Sequence, residues 1–472
     1  MTSVDVTSPA WTSTSLDGPL YGEPLVSGGR VFVATENDTV YALSATNGTI
    51  DWSSHLATPV PSGSLPCGDI SPTVGITGTP VLDGVRGELF VVADELINGR
   101  PAHQLVGLST ATGKVVLNQN VDPEGSTPAA LLQRTGLTLD AGRVVFGYGG
   151  NFGDCSTYHG WVTSVPEAGG TPAAFAVDSA AGESQGAVWM GGAAPTVDAS
   201  GNIWVTAGNG SIKSATHAYD DSDSVLELSP SLTLEQYFAP TSWPSDNARD
   251  LDFSTGVALL ADGQVVAASK SRTAYLLNGA ALGGIGGQQA ELEDACGTVI
   301  DGGLAFAGST VYLPCLSGPI AVQASDSPAG LRLLWSASVG GGPPIVAGGL
   351  IWTIGSNGVL YGLNPSSGAV KEQATIGAPA NHFPTPAIGA GLLLAPSATR
   401  VVAFSASSTG STTTTSTSTT LPPTTSAPHV GSGAPTSTGS GISSEVLAAV
   451  LVGALVVIVL ASWFFWRRRR RA

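Results

Sequence analysis

Cysteine is scarce in this 472-residue chain. There are four, Cys67, Cys155, Cys296 and Cys315, none adjacent to another and none in a C-x-x-C pair. That spacing excludes the usual structural zinc arrangements and fits two disulfides in an exported protein. Charge is scarce too, at 11% of residues, and basic residues are the rarest, 18 against 35 acidic. Five of the 18 form one run, Arg467 to Arg471, so the rest of the chain carries 13 bases against 35 acids, about −22. Such a charge repels phosphate backbones and excludes nucleic acid as a partner. No Ser/His/Asp order, phosphate-cradling loop or close carboxylate pair stands out, so no catalytic residue is assigned. GGIGG at Gly283–Gly287 lacks a strand-to-helix setting and reads as a turn.

The chain is rich in the punctuation of short strands: 62 Gly and 31 Pro among Val, Leu, Thr and Ser. Residues 407–444 form a Ser/Thr/Pro/Gly tract with almost no large apolar side chains, unable to bury a core and readable as a disordered stalk. Residues 445–466 contain VLAAVLVGALVVIVLASWFFW, an uncharged apolar run of the length that spans a bilayer, ending in the aromatic cluster Trp463 to Trp466. The basic tail, 467–472, follows at once and favours the cytoplasmic side. The expected topology is a single-pass cell-membrane protein with residues 1–406 outside the cell. MTSVDVTSPAWTSTS has neither the basic nor the apolar region of a signal peptide, so the start is expected to lie upstream of Met1.

Within 1–406 one unit recurs. Its inner apolar run ends at Leu43, Leu108, Val165, Leu228, Leu277, Val322, Leu363 and Phe404. A repeat of 40 to 50 residues holding several short strands is the signature of a propeller. In Gly342 to Ile376 four strands are legible, PPIVAGG, LIWTIG, VLYGL and AVKEQATI, with Gly368 in the last hairpin where a left-handed residue is needed. Gly48 and Gly113 hold the same place, and Trp52 and Trp335 begin outer strands where a large ring can pack across blades. The eighth unit stops after its third strand, and SPAWTSTSLDG, with Trp11 in register with Trp52 and Trp335, can complete it and close the ring. The fold expected is all-β, an eight-bladed propeller with seven blades as the alternative.

These repeats, VYALSATNGTIDW among them, resemble the pyrroloquinoline-quinone repeat of the quinoprotein alcohol dehydrogenase-like superfamily. They resemble equally the cofactor-free scaffold members, including outer-membrane assembly lipoproteins. With its stalk and anchor the chain looks like a Gram-positive, actinobacterial-type surface protein. For a quinone enzyme the resemblance implies a disulfide between adjacent cysteines over the cofactor, a tryptophan beneath it, and calcium held by Glu, Asn and Asp beside a catalytic Asp. This chain has no adjacent cysteines, so pyrroloquinoline quinone is not expected as a cofactor.

In a propeller, the loops leading into first strands and those between second and third strands share one face. All four cysteines fall in such loops, and pairing Cys67 with Cys155 and Cys296 with Cys315 alone joins near neighbours. The same face receives Asp154, Tyr158, His159, Trp189, Met190, His217, Asp220, Asp221, Asp223, Asp250, Asp252 and His382. Of these, Asp154, His159, Trp189, Asp220, Asp252 and His382 are the candidate ligand-binding residues. Asp220, Asp221 and Asp223 are a candidate calcium group, although the D-x-D-x-D-G spacing is missing and a solvated turn is the duller alternative. The function expected is a non-enzymatic, monomeric binding or scaffold module for a protein, envelope polymer or small ligand. The alternative is a quinone- or calcium-dependent oxidoreductase, or a hydrolase, using the acidic mouth.

Overall fold

The computed structural model describes residues 3–178, 180 and 182–407. The stalk beyond 407, the apolar run 446–466 and the basic tail lie outside the described residues. Among those described, no helix is long and apolar enough to cross a membrane.

Short strands of alternating apolar residues hydrogen-bond into eight antiparallel sheets arranged as blades, and the one α-helix described, Trp243–Arg249, sits between blades 4 and 5. The ring therefore has eight blades and not seven. Blade 7 shows the plain unit: Ile345–Ala347, Leu350–Ile354, Val359–Leu363 and Val370–Thr375, paired in order. All eight residues on which the repeats align lie on third strands and are fully buried. They bury because each sheet packs its apolar face on the next. Phe32, Val40 and Ala42 of blade 1, for example, share one cluster with Leu89, Val91 and Val106 of blade 2. Each large side chain so placed contributes roughly 1.5–3 kcal/mol.

The N-terminal segment completes blade 8 in two pieces. Trp11 and Thr12 pair with Ala403 and Val402, and Ser3 to Asp5 pair with Ser407 to Ser405, so the two ends of the propeller segment meet on one strand. GGIGG is more than a turn: Gly284–Ile285 adds a short parallel strand to the outer edge of blade 4, because left-handed glycines on either side let the backbone fold back there.

The tryptophans key blade to blade. Trp11 donates its indole N–H to the Ala45 carbonyl (2.9 Å), Trp52 to that of Thr110 (3.1 Å) and Trp335 to that of Pro365 (2.8 Å). Each ring lies on a hairpin glycine of the next blade, Gly48, Gly113 or Gly368, all with φ near +70°. A Cβ on Gly48 would stand 2.4 Å from Cε3 of Trp11, so glycine is needed for the turn and for the seat.

Candidate functional site

The loops on one face converge on the axis of the ring, and contacts between opposite blades locate it. Trp189 stands in the loop leading into blade 4, and Phe383 in the loop leading into blade 8, diametrically opposite in a ring of eight. Their rings meet edge to face, 5.8 Å between centroids. Only the central channel allows such a contact, so the pair forms a floor across it. Arg134, between the short blade 3 strands Leu131–Leu132 and Thr138–Asp140, lays its guanidinium 4.9 Å from the Phe383 centroid and 5.9 Å from that of Tyr21.

Beside Trp189 lies a buried ion pair. Lys270 Nζ is 3.0 Å from Asp252 Oδ1, and neither side chain has any exposed surface. The Trp189 indole N–H donates to Asp252 Oδ2 (3.3 Å), and Lys270 Nζ lies 4.7 Å from the centre of the Trp189 ring. In this water-poor setting the ammonium gains from the π face as well as from the carboxylate. The helix Trp243–Arg249 positions the carboxylates: it ends with Asp250 in the left-handed conformation (φ 69°), which turns the chain inward so that Asp252 follows into the channel. Asn209 Nδ2 donates to Asp250 Oδ1 (3.2 Å), while Asp250 Oδ2 is buried without a hydrogen-bond partner. Burial drives both Asp250 and Asp252 above the ordinary carboxylate range, against the pull of Lys270. Asp154 accepts from the Tyr158 hydroxyl (3.0 Å), and burial pushes it up to about 7. Asp154, Met190 and Asp250 all hold positive φ, a strain that clusters at functional sites.

The structure thus joins Trp189 and Asp252 directly and brings Asp154 within electrostatic reach of Asp252 and Lys270. His382 belongs to the same mouth, its ring 3.8 Å from that of Phe383 and its Nε2 3.7 Å from Asp301 Oδ2. His159 and Asp220 stand apart, gathered around Asp178: His159 Nδ1 is 3.4 Å from Asp178 Oδ1, and the charge of Asp220 helps push the Asp178 carboxyl up. His217 is exposed. Asp220, Asp221 and Asp223, the candidate calcium group, do not turn toward one point. Asp220 turns to Ser222, whose hydroxyl and amide both donate to it, while Asp223 is buried on the side of Asp252 and Asp246. Among the described residues no three His, Cys, Asp or Glu side chains form a metal-holding group.

Sequence reasoning missed Lys270, Asn209, Arg134 and Phe383. A signal existed for the two cations: with so few basic residues, ASKSRT and LLQRTG place Lys270 and Arg134 in loops of the very face that carries Trp189. A polar cleft of about 450 Å³ lies off the axis between the helix and blade 5, lined by Arg249, Arg272 and Glu291 among others, and it touches the channel group at Lys270.

Both disulfides join the expected partners, Cys67 to Cys155 and Cys296 to Cys315. The first ties the loop leading into blade 2 to the loop that carries Asp154.

The family described as outer membrane protein assembly factor BamB matches residues 7–157. Among solved structures, the quinohemoprotein alcohol dehydrogenase of Comamonas testosteroni superposes with a TM-score of 0.64 at 15% identity, covering 86% of this chain and 78% of that one. BamB of Moraxella catarrhalis gives 0.53 at 13% identity, covering 84% and 97%. A europium-containing methanol dehydrogenase gives 0.59 at 14%, covering 84% and 93%. The repeats are of the pyrroloquinoline-quinone-like kind. No curated protein matches the chain. At these identities the pyrroloquinoline-quinone-like propeller is shared as a fold, with dehydrogenases and an assembly factor alike, and the site has to speak for function.

Set against the quinone site that the resemblance implies, the fit is partial. Trp189, Asn209, Asp250 and Asp252 are residues of the right kinds near the axis. The ring of adjacent cysteines is missing, both disulfides being between distant residues, and Phe383 and Lys270 already lie against Trp189. No chemical step is therefore derived through a quinone or a metal.

Proposed function

We propose that this chain is a cell-surface binding module, held to the membrane by the apolar run 446–466 with its basic tail inside, and that it takes a compact ligand at the mouth of the propeller channel. The observation that carries this reading is the cross-axis contact of Trp189 with Phe383 above the buried Lys270–Asp252 pair. A channel crossed by aromatic rings and fringed with fixed donors and acceptors would offer such a ligand an apolar base and a polar rim. The rigid ring needs no rearrangement to present it, and the surrounding insertions supply a rim where a protein or envelope polymer can dock. The propeller acts as a monomer, its edges consumed by ring closure.

A second reading, a quinone-dependent oxidoreductase, is favoured by one observation, the placing of Asn209 and Asp250 near Trp189 and Asp252. Calorimetry on the purified protein with pyrroloquinoline quinone and Ca²⁺, followed by dye-linked alcohol and sugar oxidation, separates the two. The binding-module reading expects neither tight quinone binding nor turnover; micromolar or tighter binding with turnover would replace it by the second.

A further inference from the structure

Outside the run Arg467 to Arg471 the chain has 13 basic residues, and three of them, Arg249, Lys270 and Arg272, line one cleft. It is the cleft of about 450 Å³ beside the channel, between the helix Trp243–Arg249 and blade 5. Three acids, Asp246, Glu291 and Glu293, line it as well, so its formal charge is balanced. Local structure sets both groups in place. Glu291 and Glu293 stand two positions apart on and just past the outer strand Ala290–Leu292, and the strand period of two turns both to one side. Arg249 is held by its own helix: Nε donates to the Ser245 carbonyl (3.1 Å), and Nη2 donates to Ser245 Oγ (3.0 Å) and Asp246 Oδ1 (3.2 Å). That leaves the N–H groups of Nη1 for a ligand. Arg272 stands in the hairpin between the second and third strands of blade 5, at φ 71°, braced by an ion pair with Asp294.

These groups can be reached from solvent. The Arg249 and Arg272 side chains are 62% and 45% exposed, and Glu291, Glu293, Thr241 and Ser242 are exposed beside them. The cleft's volume falls within the range of small-ligand sites, roughly 300–1,000 Å³. Its lining excludes several ligand classes. Apart from the Tyr275 ring, only Pro240 and Leu251 bring apolar surface, too little for a lipid or a flat aromatic body. The carboxylates oppose an anion, and the guanidinium groups oppose a cation. A neutral ligand rich in hydroxyls meets neither objection. A hydroxyl both donates and accepts, and neighbouring hydroxyls offer the two-point geometry that a guanidinium fork or a carboxylate engages.

We propose that the cleft between the helix Trp243–Arg249 and blade 5 is a carbohydrate-binding site, taking the uncharged sugar rings of an oligosaccharide through Arg249, Arg272, Glu291 and Glu293. The site is distinct from the channel mouth, and each reading can fail without the other. Hydrogen bonds to charged groups are roughly twice as strong as those between neutral ones, so these four side chains carry most of the binding. A ligand without net charge binds equally well at low and high salt.

The test is calorimetric titration of the full chain with maltotriose, cellotriose and mannotriose, with inorganic phosphate as a separate arm, in the wild type and in Arg249→Gln, Glu293→Gln and Lys371→Gln. Lys371, an exposed base on the outer strand of blade 7, is the control. The expected result is saturable binding of at least one trisaccharide by the wild type, unchanged by salt, about tenfold weaker in Arg249→Gln and in Glu293→Gln, and unaltered in Lys371→Gln. Binding of none of the three trisaccharides, equal affinity in the wild type and both cleft variants, or phosphate bound more tightly than any trisaccharide would overturn the proposal. The second of these results would move the sugar to another part of the surface, and the third would make the cleft an anion site. If Arg249→Gln fails to fold through loss of its hold on Asp246, Glu293→Gln decides. Sugar binding that disappears in the cleft variants while a host-derived species stays in the channel confirms that the two sites are separate.

Discussion

Trp189 and Phe383 reach each other from opposite sides of the ring, 5.8 Å apart and nearly perpendicular, so two loops distant in sequence close one channel. Asp252, Lys270, Arg134 and His382 gather around the pair, and the consequences can be measured.

The Lys270–Asp252 pair should be strongly interdependent. Lys270→Met strands a buried carboxylate and is expected to lower stability by about 3–5 kcal/mol, whereas the double change Lys270→Met with Asp252→Asn should recover most of that loss. Denaturant melts of the two single variants and the double variant give the coupling energy. Additive effects would mean that the two side chains do not act as a pair.

The glycine seats should be more demanding than the other left-handed turns. Gly48→Ala must take φ near +72° and also displace the Trp11 ring, and is expected to cost about 2–3 kcal/mol. Gly29→Ala, with φ 76° and open space where its Cβ would stand, should cost only about 1 kcal/mol. Equal losses in thermal melts would show that Trp11 adds nothing to ring closure.

Stability should decline as the solution is made less acidic. Burial holds Glu36, Asp94, Asp154 and Asp220 at about 7, whereas the unfolded chain releases those protons near pH 4. Between these values the folded protein binds protons that the unfolded chain has lost. These groups therefore favour the fold fully below about pH 4, lose that advantage as pH rises to about 7, and change little above. Melting temperatures should fall from pH 5.5 to pH 8, and Asp94→Asn, which removes a buried carboxylate lacking hydrogen-bond partners, should flatten the slope. A melting temperature that rises across this interval would contradict the burial of these acids.

The Cys67–Cys155 bond should steady the mouth as well as the fold. It closes a span of 88 residues, and its loss through the paired Ser variant is expected to cost about 2–4 kcal/mol. Hydrogen exchange should quicken first in residues 150–158, around Asp154. Unchanged exchange there would detach the disulfide from the site.

The fold was legible because it repeats. Leu43, Leu363 and their counterparts carry the same pattern eight times, and the Trp52 and Gly113 positions recur with it, so the backbone plan could be read from periodicity. The disulfides followed from the plan, since it put four cysteines on one face. The site was half legible: Trp189 and Asp252 were visible as misfits in a β sequence, yet nothing local pairs Asp252 with Lys270, 18 positions on. Arg134 and Phe383 meet only because a ring brings blade 3 and blade 8 to a common axis, a long-range relation that no spacing expresses. His159 and Asp220 gather beside Asp178 rather than beside Trp189 and Asp252, another relation that spacing does not express.

The central claim is that the mouth above Trp189 and Phe383 holds a ligand. Its most direct measurement is the electron density in that mouth for protein purified from its own host. The account predicts a compact organic molecule seated on the Trp189–Phe383 floor. A clean, solvent-filled mouth, or a quinone stacked on Trp189 with a metal at Asn209 and Asp250, would contradict it.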